Sequence, residues 1–90
     1  MTSADLAPEF ILAVACPSAK GQIAAISGFV DAHGGYIKEF AVFDDEIEDR
    51  IYVRAVFRVD STHTPALADL RDAFAPLAER FGMDWRLTDA

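Results

Sequence analysis

Residues 51–59 read Ile-Tyr-Val-Arg-Ala-Val-Phe-Arg-Val, and this alternation decides the fold. Successive side chains of a β-strand point to opposite faces of a sheet. One face of the segment is wholly apolar and consists of Ile51, Val53, Ala55, Phe57 and Val59. The other face mixes apolar and basic side chains, namely Tyr52, Arg54, Val56 and Arg58. The pattern predicts a strand in a sheet that helices cover on one side only.

A second strand is predicted upstream, at residues 10–16, where every position is apolar. An uninterrupted apolar run is typical of a central strand covered on both faces. Pro17 ends this strand. Residues 36–43 form a third strand, and the acidic stretch 44–50 joins it to residues 51–59 as a hairpin loop.

Two helices fill the remaining segments. The first begins near Gly21 and ends at His33-Gly34-Gly35, because glycine adopts the left-handed C-cap conformation without steric cost. Its apolar stripe of Ile23, Ile26 and Val30 lies opposite Gln22 and Asp31.

The second helix is predicted to begin with Thr64 as the capping residue and Pro65 at the first helical position. Its stripe stays in phase through Pro76, so we expect one kinked helix that ends at Gly82. The stripe consists of Leu67, Leu70, Phe74, Leu77 and Phe81. A short last strand follows at residues 83–87, with Met83, Trp85 and Leu87 on one face.

The order strand, helix, strand, strand, helix, strand predicts an α+β fold of the ferredoxin-like βαββαβ type. Right-handed crossovers place both helices on one face of a four-stranded antiparallel sheet, whose central strands are the first and the third. We expect one domain at residues 10–88, preceded by a flexible lead-in at residues 1–9.

Composition narrows the function classes. The 90 residues carry a net charge of −7, which argues against a nucleic-acid partner. The single cysteine predicts a reducing, cytoplasmic compartment, and the longest apolar run is too short to cross a membrane.

No residue set predicts catalysis, a metal or a cofactor. His33 and His63 lie at helix boundaries without Cys or carboxylate partners at metal-ligand spacing. Cys16 closes an apolar strand, where a thiol usually packs as a small hydrophobe. The acidic loop lacks the ligand spacing and central glycine of a calcium loop. We therefore expect no enzyme activity from these residues.

Two turns are candidates for binding. Residues 17–21 present backbone N–H groups at a helix N-terminus, which attracts a carboxylate. Gly34-Gly35 is expected to approach this edge in a dimer. Spacing alone favours the other interpretation, that both turns are only the tight connections that a small fold needs.

The sheet face opposite the helices is predicted to be an interface. It carries Ile11, Ala13, Ala15, Tyr52 and Val56, a surface too apolar to leave wet on a monomer. We expect a homodimer, or pairing with a catalytic chain, through strand edges and this face.

Several motifs together resemble a known family. They are Cys16-Pro17, Gly21, Ala24-Ala25-Ile26-Ser27-Gly28-Phe29, His33-Gly34-Gly35, Ile37, Glu39, Phe43-Asp44-Asp45, Arg54, Phe57 and Phe81-Gly82-Met83-Asp84-Trp85-Arg86-Leu87. From about Phe10 to Leu87 the chain is similar to the N-terminal ACT domain of formyltetrahydrofolate deformylases. The closing stretch is the specific part, and the glycine turn with its helix is shared with ACT domains generally.

The resemblance implies a regulatory domain in purine and one-carbon metabolism. Family members hydrolyse 10-formyltetrahydrofolate to formate and tetrahydrofolate in a separate hydrolase domain, whose catalytic residues have no counterparts here. ACT domains bind small amino acids, such as glycine or methionine, near the strand-to-helix turn at an interface. The implied effector-binding residues are Ser18, Ala19, Lys20, Gly21, Gln22, Gly34, Gly35, Tyr36 and Ile37.

Two departures from the family predict weak effector binding or none. The family commonly reads Cys-Pro-Asp-Arg-Pro-Gly where this chain has Ser18, Ala19 and Lys20 after Cys-Pro. It usually has Asn after the glycine pair, where Tyr36 cannot offer the same hydrogen bonds. The leading interpretation is a regulatory or assembly domain of a deformylase. The alternative is a free-standing ACT protein that senses an amino acid or modulates a regulator.

Overall fold

The computed structural model describes residues 9–18, 20–59 and 66–89, in six elements that follow the predicted order. The strands are β1 (Glu9–Pro17), β2 (Gly35–Asp45), β3 (Arg50–Val59) and β4 (Asp84–Asp89). The helices are α1 (Gln22–Ala32) and α2 (Leu67–Phe81). Most of the predicted lead-in lies outside the described residues, and Glu9 is the first residue of β1.

The four strands form one antiparallel sheet in the order β2-β3-β1-β4. The predicted ferredoxin-like topology is confirmed, with β1 and β3 as the central strands. The pairing register places Leu12 opposite Ala55 of β3 and opposite Leu87 of β4. Residues of one alternation therefore form continuous rows across the sheet, which defines its two faces.

The hydrophobic core lies between the two helices and one face of the sheet. Leu12, Phe57 and Phe74 are fully buried there, from β1, β3 and α2 in turn. The ring of Phe74 packs edge-on against Phe29 of α1 at 4.9 Å and against Trp85 of β4 at 5.0 Å. Aromatic contacts of this kind tie both helices to the same face. The helix-covered alternation predicted for residues 51–59 is confirmed.

Helix α1 ends at Ala32 with His33 as its C-cap, directly before Gly34-Gly35, and α2 runs unbroken through Pro76 to its predicted end at Gly82. Gly82 closes α2 in the left-handed conformation, with φ of 65°. The predicted start of α2 is wrong, because Ala66 is the N-cap and Leu67 the first helical residue. Thr64 and Pro65 themselves lie outside the described residues.

Two further expectations need correction. The hairpin loop is shorter than predicted, because β2 extends to Asp45 and only residues 46–49 form the turn. The carboxylate of Asp45 accepts the N–H groups of Ile47 and Glu48 at 3.1 and 3.2 Å, which closes the turn locally.

Strand β1 is not covered on both faces within one chain. Its even-numbered residues from Phe10 to Cys16 are buried, whereas Ala13 is exposed and Ile11 and Ala15 are half-buried. Strand β2 also contains a bulge near Lys38, where the register to β3 shifts. A bulge adds one residue without an apolar signal, so the alternation in the sequence does not predict it.

Candidate functional site

The first predicted turn connects β1 to α1 and is anchored at both ends. Gly21 is the N-cap of α1 and has φ of 92°, a conformation that L-residues rarely adopt. The backbone N–H of Ser18 donates to the carbonyl of Asp49 in the hairpin turn, at 3.0 Å. This N–H is therefore not free for a ligand. Lys20 is exposed, and Ala19 lies outside the described residues.

Gln22 has a different position from the one predicted. The sequence pattern assigns it to the polar side of α1, but it is only 2% exposed. Its Nε2 donates to the carbonyl of Pro17 at 2.8 Å and lies 3.8 Å from the sulfur of Cys16. The side chain thus binds the turn to the end of β1, a structural role that helical periodicity does not reveal. Helical periodicity considers only hydrophobicity, whereas the hydrogen-bonding amide of Gln22 is what allows this polar side chain to be buried.

The hydrogen-bond ladder of α1 begins one turn into the helix. The first intrahelical hydrogen bond runs from the N–H of Ala25 to the carbonyl of Gly21, at 2.9 Å. The N–H groups of the preceding helical residues have no intrahelical acceptor, as at any helix start. The hydroxyl of Ser18 lies 3.4 Å from a carboxylate oxygen of Asp44. A negative charge this close to the turn opposes the binding of a second carboxylate there.

The second predicted turn connects α1 to β2. Gly34 has φ of 74°, and Gly35 has no space for a side chain, because a Cβ there would lie 2.5 Å from Val30. Tyr36 is exposed, and the guanidinium of Arg58 lies 5.3 Å from its ring centre. Ile37 is half-buried against the core. The close approach of Val30 is therefore sufficient to explain the glycine at position 35, without a role in ligand binding.

The two turns do not form one site within a single chain. They lie at opposite ends of α1, and eleven helical residues span about 16 Å. Strand pairing agrees, because Pro17 at the first turn pairs with Arg50, whereas Gly35 at the second pairs with Val59 at the far end of β3. The residues predicted to bind an effector can meet only between two chains.

The sheet face opposite the helices is the second candidate site, and we call it the open face. It carries a groove of about 570 Å³. The groove has alanines along its floor and Phe43, Tyr52, Arg54, Asp84 and Arg86 around it. The rings of Phe43 and Tyr52 lie 6.1 Å apart, and a carboxylate oxygen of Glu39 lies 3.2 Å from the Arg54 guanidinium.

The remaining chemistry-bearing residues have structural environments. Cys16 is a free, fully buried thiol on the helix-covered face. The Nδ1 of His33 lies 2.8 Å from the carbonyl of Phe29. Residues 9–18, 20–59 and 66–89 contain no cluster of His, Cys, Asp and Glu that could hold a metal ion. None of the described helices has the length and apolarity needed to span a membrane.

Comparison with known proteins identifies the relatives of this chain. No family model matches the chain. A formyltetrahydrofolate deformylase from Corynebacterium sp. (strain P-1) is 36% identical over 80 residues, which are 88% of this chain and 27% of that protein. The crystal structure of the formyltetrahydrofolate deformylase from Burkholderia mallei is 43% identical, with a TM-score of 0.83 over 91% of this chain and 28% of that one. The chain thus spans about a quarter of the length of these relatives.

An ACT domain protein from Streptococcus pneumoniae has the same fold over nearly its whole length. Its TM-score is 0.79 at 19% identity, over 93% of this chain and 91% of that protein. The predicted resemblance is therefore confirmed both in sequence and in fold. The chain belongs with the N-terminal ACT-like domains of the formyltetrahydrofolate deformylase family.

Proposed function

We propose that the chain is a non-catalytic regulatory and assembly domain that acts beside a formyltetrahydrofolate deformylase catalytic domain in the cytoplasm. The observation that carries the proposal is the distribution of similarity. Relatives at 36% and 43% identity match nearly all of this chain, but the matched part is only 27–28% of their own length. Hydrolysis of 10-formyltetrahydrofolate to formate and tetrahydrofolate is then the work of the remaining three quarters.

The contacts of the described residues support a role without catalysis. The buried thiol of Cys16 is closed off from solvent, and His33 makes a local contact with the helix end. The carboxylates of Glu39 and Asp84 lie beside arginines, in exposed ion pairs of 3.2 and 3.4 Å. Activation of water needs a base that is directed at an enclosed reacting group, and none of these four side chains has that arrangement. Their contacts are those of a structural domain.

A domain exchange tests the proposal. The N-terminal domain of the Burkholderia mallei deformylase is replaced by this chain, and formate release from 10-formyltetrahydrofolate is measured. We expect the exchanged protein to keep the activity and assembly state of the parent. The matched control is an exchange with the Streptococcus pneumoniae ACT domain protein, which has the fold at only 19% identity. Equal loss of activity with both inserts would contradict the proposal.

The chain alone is expected to release no formate above the uncatalysed background. Release by rigorously purified chain would show that the catalytic residues lie in this domain after all. The free-standing ACT protein considered above remains the alternative function. It predicts an inactive domain exchange together with tight amino-acid binding.

For the effector, we propose a small amino acid whose carboxylate meets the N–H groups near Gly21 and Gln22, across a chain interface from Gly34 to Ile37. Three observations support weak binding. The Ser18 N–H is already used by Asp49, the Asp44 carboxylate is close by, and Lys20 is exposed. A helix N-terminus at an exposed site favours an anion by under about 1 kcal/mol.

Calorimetric titration with glycine, methionine and serine tests this site. We expect weak binding or none. A micromolar affinity that is lost in Gly21→Val, but kept in Gly28→Ala, would show an intact site. Gly28 is the control because a Cβ there meets no atom within 4 Å.

A further inference from the structure

Strand β4 lies at one edge of the sheet. It pairs with β1 on one side, and within the described residues its other side has no neighbouring strand. An edge strand presents backbone N–H and C=O groups to which a strand of another chain can bond. In an antiparallel ladder every second residue bonds to its partner, and the residues between point away. The groups that β4 presents at this edge can therefore be derived from the pairing of β1.

The hydrogen bond of Ser18 fixes the alternation in β1. Its N–H donates to the carbonyl of Asp49 at 3.0 Å, and these two positions continue the register in which Pro17 pairs with Arg50. Ser18 therefore bonds toward β3, and so do the even-numbered residues of β1. Pro17 agrees with this assignment, because proline has no N–H and is tolerated where the ladder does not need one. The odd-numbered residues of β1 consequently bond toward β4.

This alternation determines which residues of β4 point outward. Leu12 bonds toward β3, so its pair with Leu87 of β4 is not hydrogen-bonded. The N–H and C=O of Leu87 therefore point away from β1, toward the edge. The same holds for Trp85 and Asp89, whose partners on β1 are also even-numbered. Three residues of β4 thus present their backbone groups at the edge, and Leu87 is the middle one.

The side chain of Arg71 occupies this middle position. Its Nε donates to the carbonyl of Leu87 at 3.0 Å, in a half-buried hydrogen bond. Arg71 lies on α2 between Leu70 and Phe74, which are both fully buried, so the helix holds the side chain beside β4. A hydrogen bond from a charged donor is stronger than one between neutral groups. A strand that pairs with β4 would have to displace this guanidinium.

We propose that Arg71 closes the β4 edge, so that no further strand extends the sheet on this side. A pairing strand needs the Leu87 carbonyl as an acceptor and the space beside it, and the Arg71 side chain takes both. Charged side chains and short length are general means by which edge strands avoid pairing, and β4 has only six residues. The proposal goes beyond the function proposed above and does not depend on it.

The opposite edge of the sheet differs from the β4 edge. Strand β2 has eleven residues, and its register to β3 is regular from Glu39 to Asp45, after the bulge near Lys38. By the same alternation, Phe40 and Val42 point their backbone groups outward. Strand addition to this sheet is therefore confined to β2 as long as Arg71 holds Leu87.

An opened β4 edge would be self-complementary, so a second copy of the chain can serve as the probe. Two β4 strands in antiparallel pairing, centred on Leu87, would place Trp85 opposite Asp89 of the second copy. Arg86 would lie opposite Thr88, so no like charges would face each other. The three outward-pointing residues would exchange two hydrogen bonds in each pair. Removal of Arg71 should therefore allow a pairing that the wild-type chain does not make.

Sedimentation equilibrium of Arg71→Ala tests the proposal. We expect the variant to self-associate at least about tenfold more tightly than the wild-type chain, since a factor of ten requires only 1.4 kcal/mol. Arg80→Ala is the matched control, because it removes the same charge from the last turn of α2. Adding Asp89→Pro to Arg71→Ala is expected to restore the wild-type behaviour, because proline removes an outward N–H and leaves the bonds to β1. A folded Arg71→Ala chain that sediments like the wild type overturns the proposal.

Amide hydrogen exchange identifies the edge and requires no variant for its first step. In the wild-type chain we expect the N–H groups of Arg86 and Thr88, which bond to β1, to exchange slowly, and those of Trp85 and Leu87 to exchange fast. In Arg71→Ala, at concentrations where it associates, Trp85 and Leu87 are expected to become protected. Protection of Trp85 and Leu87 in the wild-type chain, or association of Arg71→Ala without protection at these residues, would contradict the proposal.

Discussion

The two faces of strand β3 belong to the same ten residues but have different environments. On the helix-covered face, Val53 and Phe57 are buried, and every neighbour they need comes from the same chain. On the open face, Tyr52 and Arg54 remain exposed beside alanines. The contrast indicates that the covered face supplies the stability of the domain, whereas the open face leaves its side chains accessible.

The largest expected effect is the truncation of Phe57 to alanine. Phe57 is fully buried, and its ring lies 5.6 Å from that of Phe10. We expect the free energy of unfolding, measured by urea denaturation, to fall by about 3–5 kcal/mol. In a domain this small that loss is a large share of the total stability.

Tyr52→Ala is the matched change on the other face of the same strand. Tyr52 is 39% exposed, so at concentrations where the chain is monomeric we expect a loss of about 1 kcal/mol or less. A loss below about 1 kcal/mol for Phe57→Ala, or equal losses for the two variants, would contradict the assignment of the two faces.

The next largest effect is expected from glycine substitutions, because Gly35 lies at the border of the covered face and Gly28 does not. A Cβ at Gly35 would lie 2.5 Å from a methyl carbon of Val30 and 3.1 Å from the ring of Phe57. We expect Gly35→Ala to destabilise the chain by about 1–3 kcal/mol, because a packed core resists added volume. Gly28→Ala, with open space around it, is expected to stabilise α1 by about 0.5–1 kcal/mol. Thermal melts that rank the two variants in the opposite order would show that the core yields at Gly35.

A smaller effect is expected at Gln22, at the margin of the covered face. Gln22→Met keeps the volume but removes the donor to the Pro17 carbonyl, so we expect a loss of about 0.5–1.5 kcal/mol. Ser18→Ala is the control, because its 3.4 Å bond to Asp44 is long and exposed. A Met variant as stable as the wild type would mean that burial alone positions the turn.

The sequence predicts the covered face better than the open face for a physical reason. Burial against helices requires apolar residues at every second position of β3 and at helical spacing in α2. The spacing of the apolar residues around Phe57 and Phe74 is therefore sufficient to predict which side chains are buried. The strand order and the end of α2 at Gly82 follow from the same rules. Gln22 was missed because a buried amide that bonds a backbone carbonyl looks like an exposed polar residue in a periodicity analysis.

The candidate site is less predictable because it depends on contacts between segments distant in sequence. The Ser18 N–H is occupied by Asp49, 31 residues further along the chain, and no local pattern signals that bond. The distance between the two glycine turns follows from the length of α1, so the need for a second chain at the effector site could be predicted. Ala13 lies between Arg54 and Arg86 in one row of the sheet, and this arrangement can be predicted only when the strand register is known.

The smallest expected effect concerns the ion pair between Arg54 and Glu39 on the open face. The two side chains are 50% and 59% exposed at 3.2 Å. A double-mutant cycle with Arg54→Ala and Glu39→Ala is expected to give a coupling energy of about 0.2–1 kcal/mol at low protein concentration. Added salt is expected to reduce it further, since exposed charges are screened.

The cycle becomes informative when it is repeated at rising protein concentration, because the sequence predicts that a partner covers this face. Coverage by a second copy would remove water from the pair, and a desolvated pair couples more strongly than an exposed one. We therefore expect the coupling energy to rise with protein concentration and to lose part of its salt dependence. A coupling that stays small and fully salt-sensitive at every concentration would show that Arg54 remains in water, and that the open face is not the surface on which this chain associates.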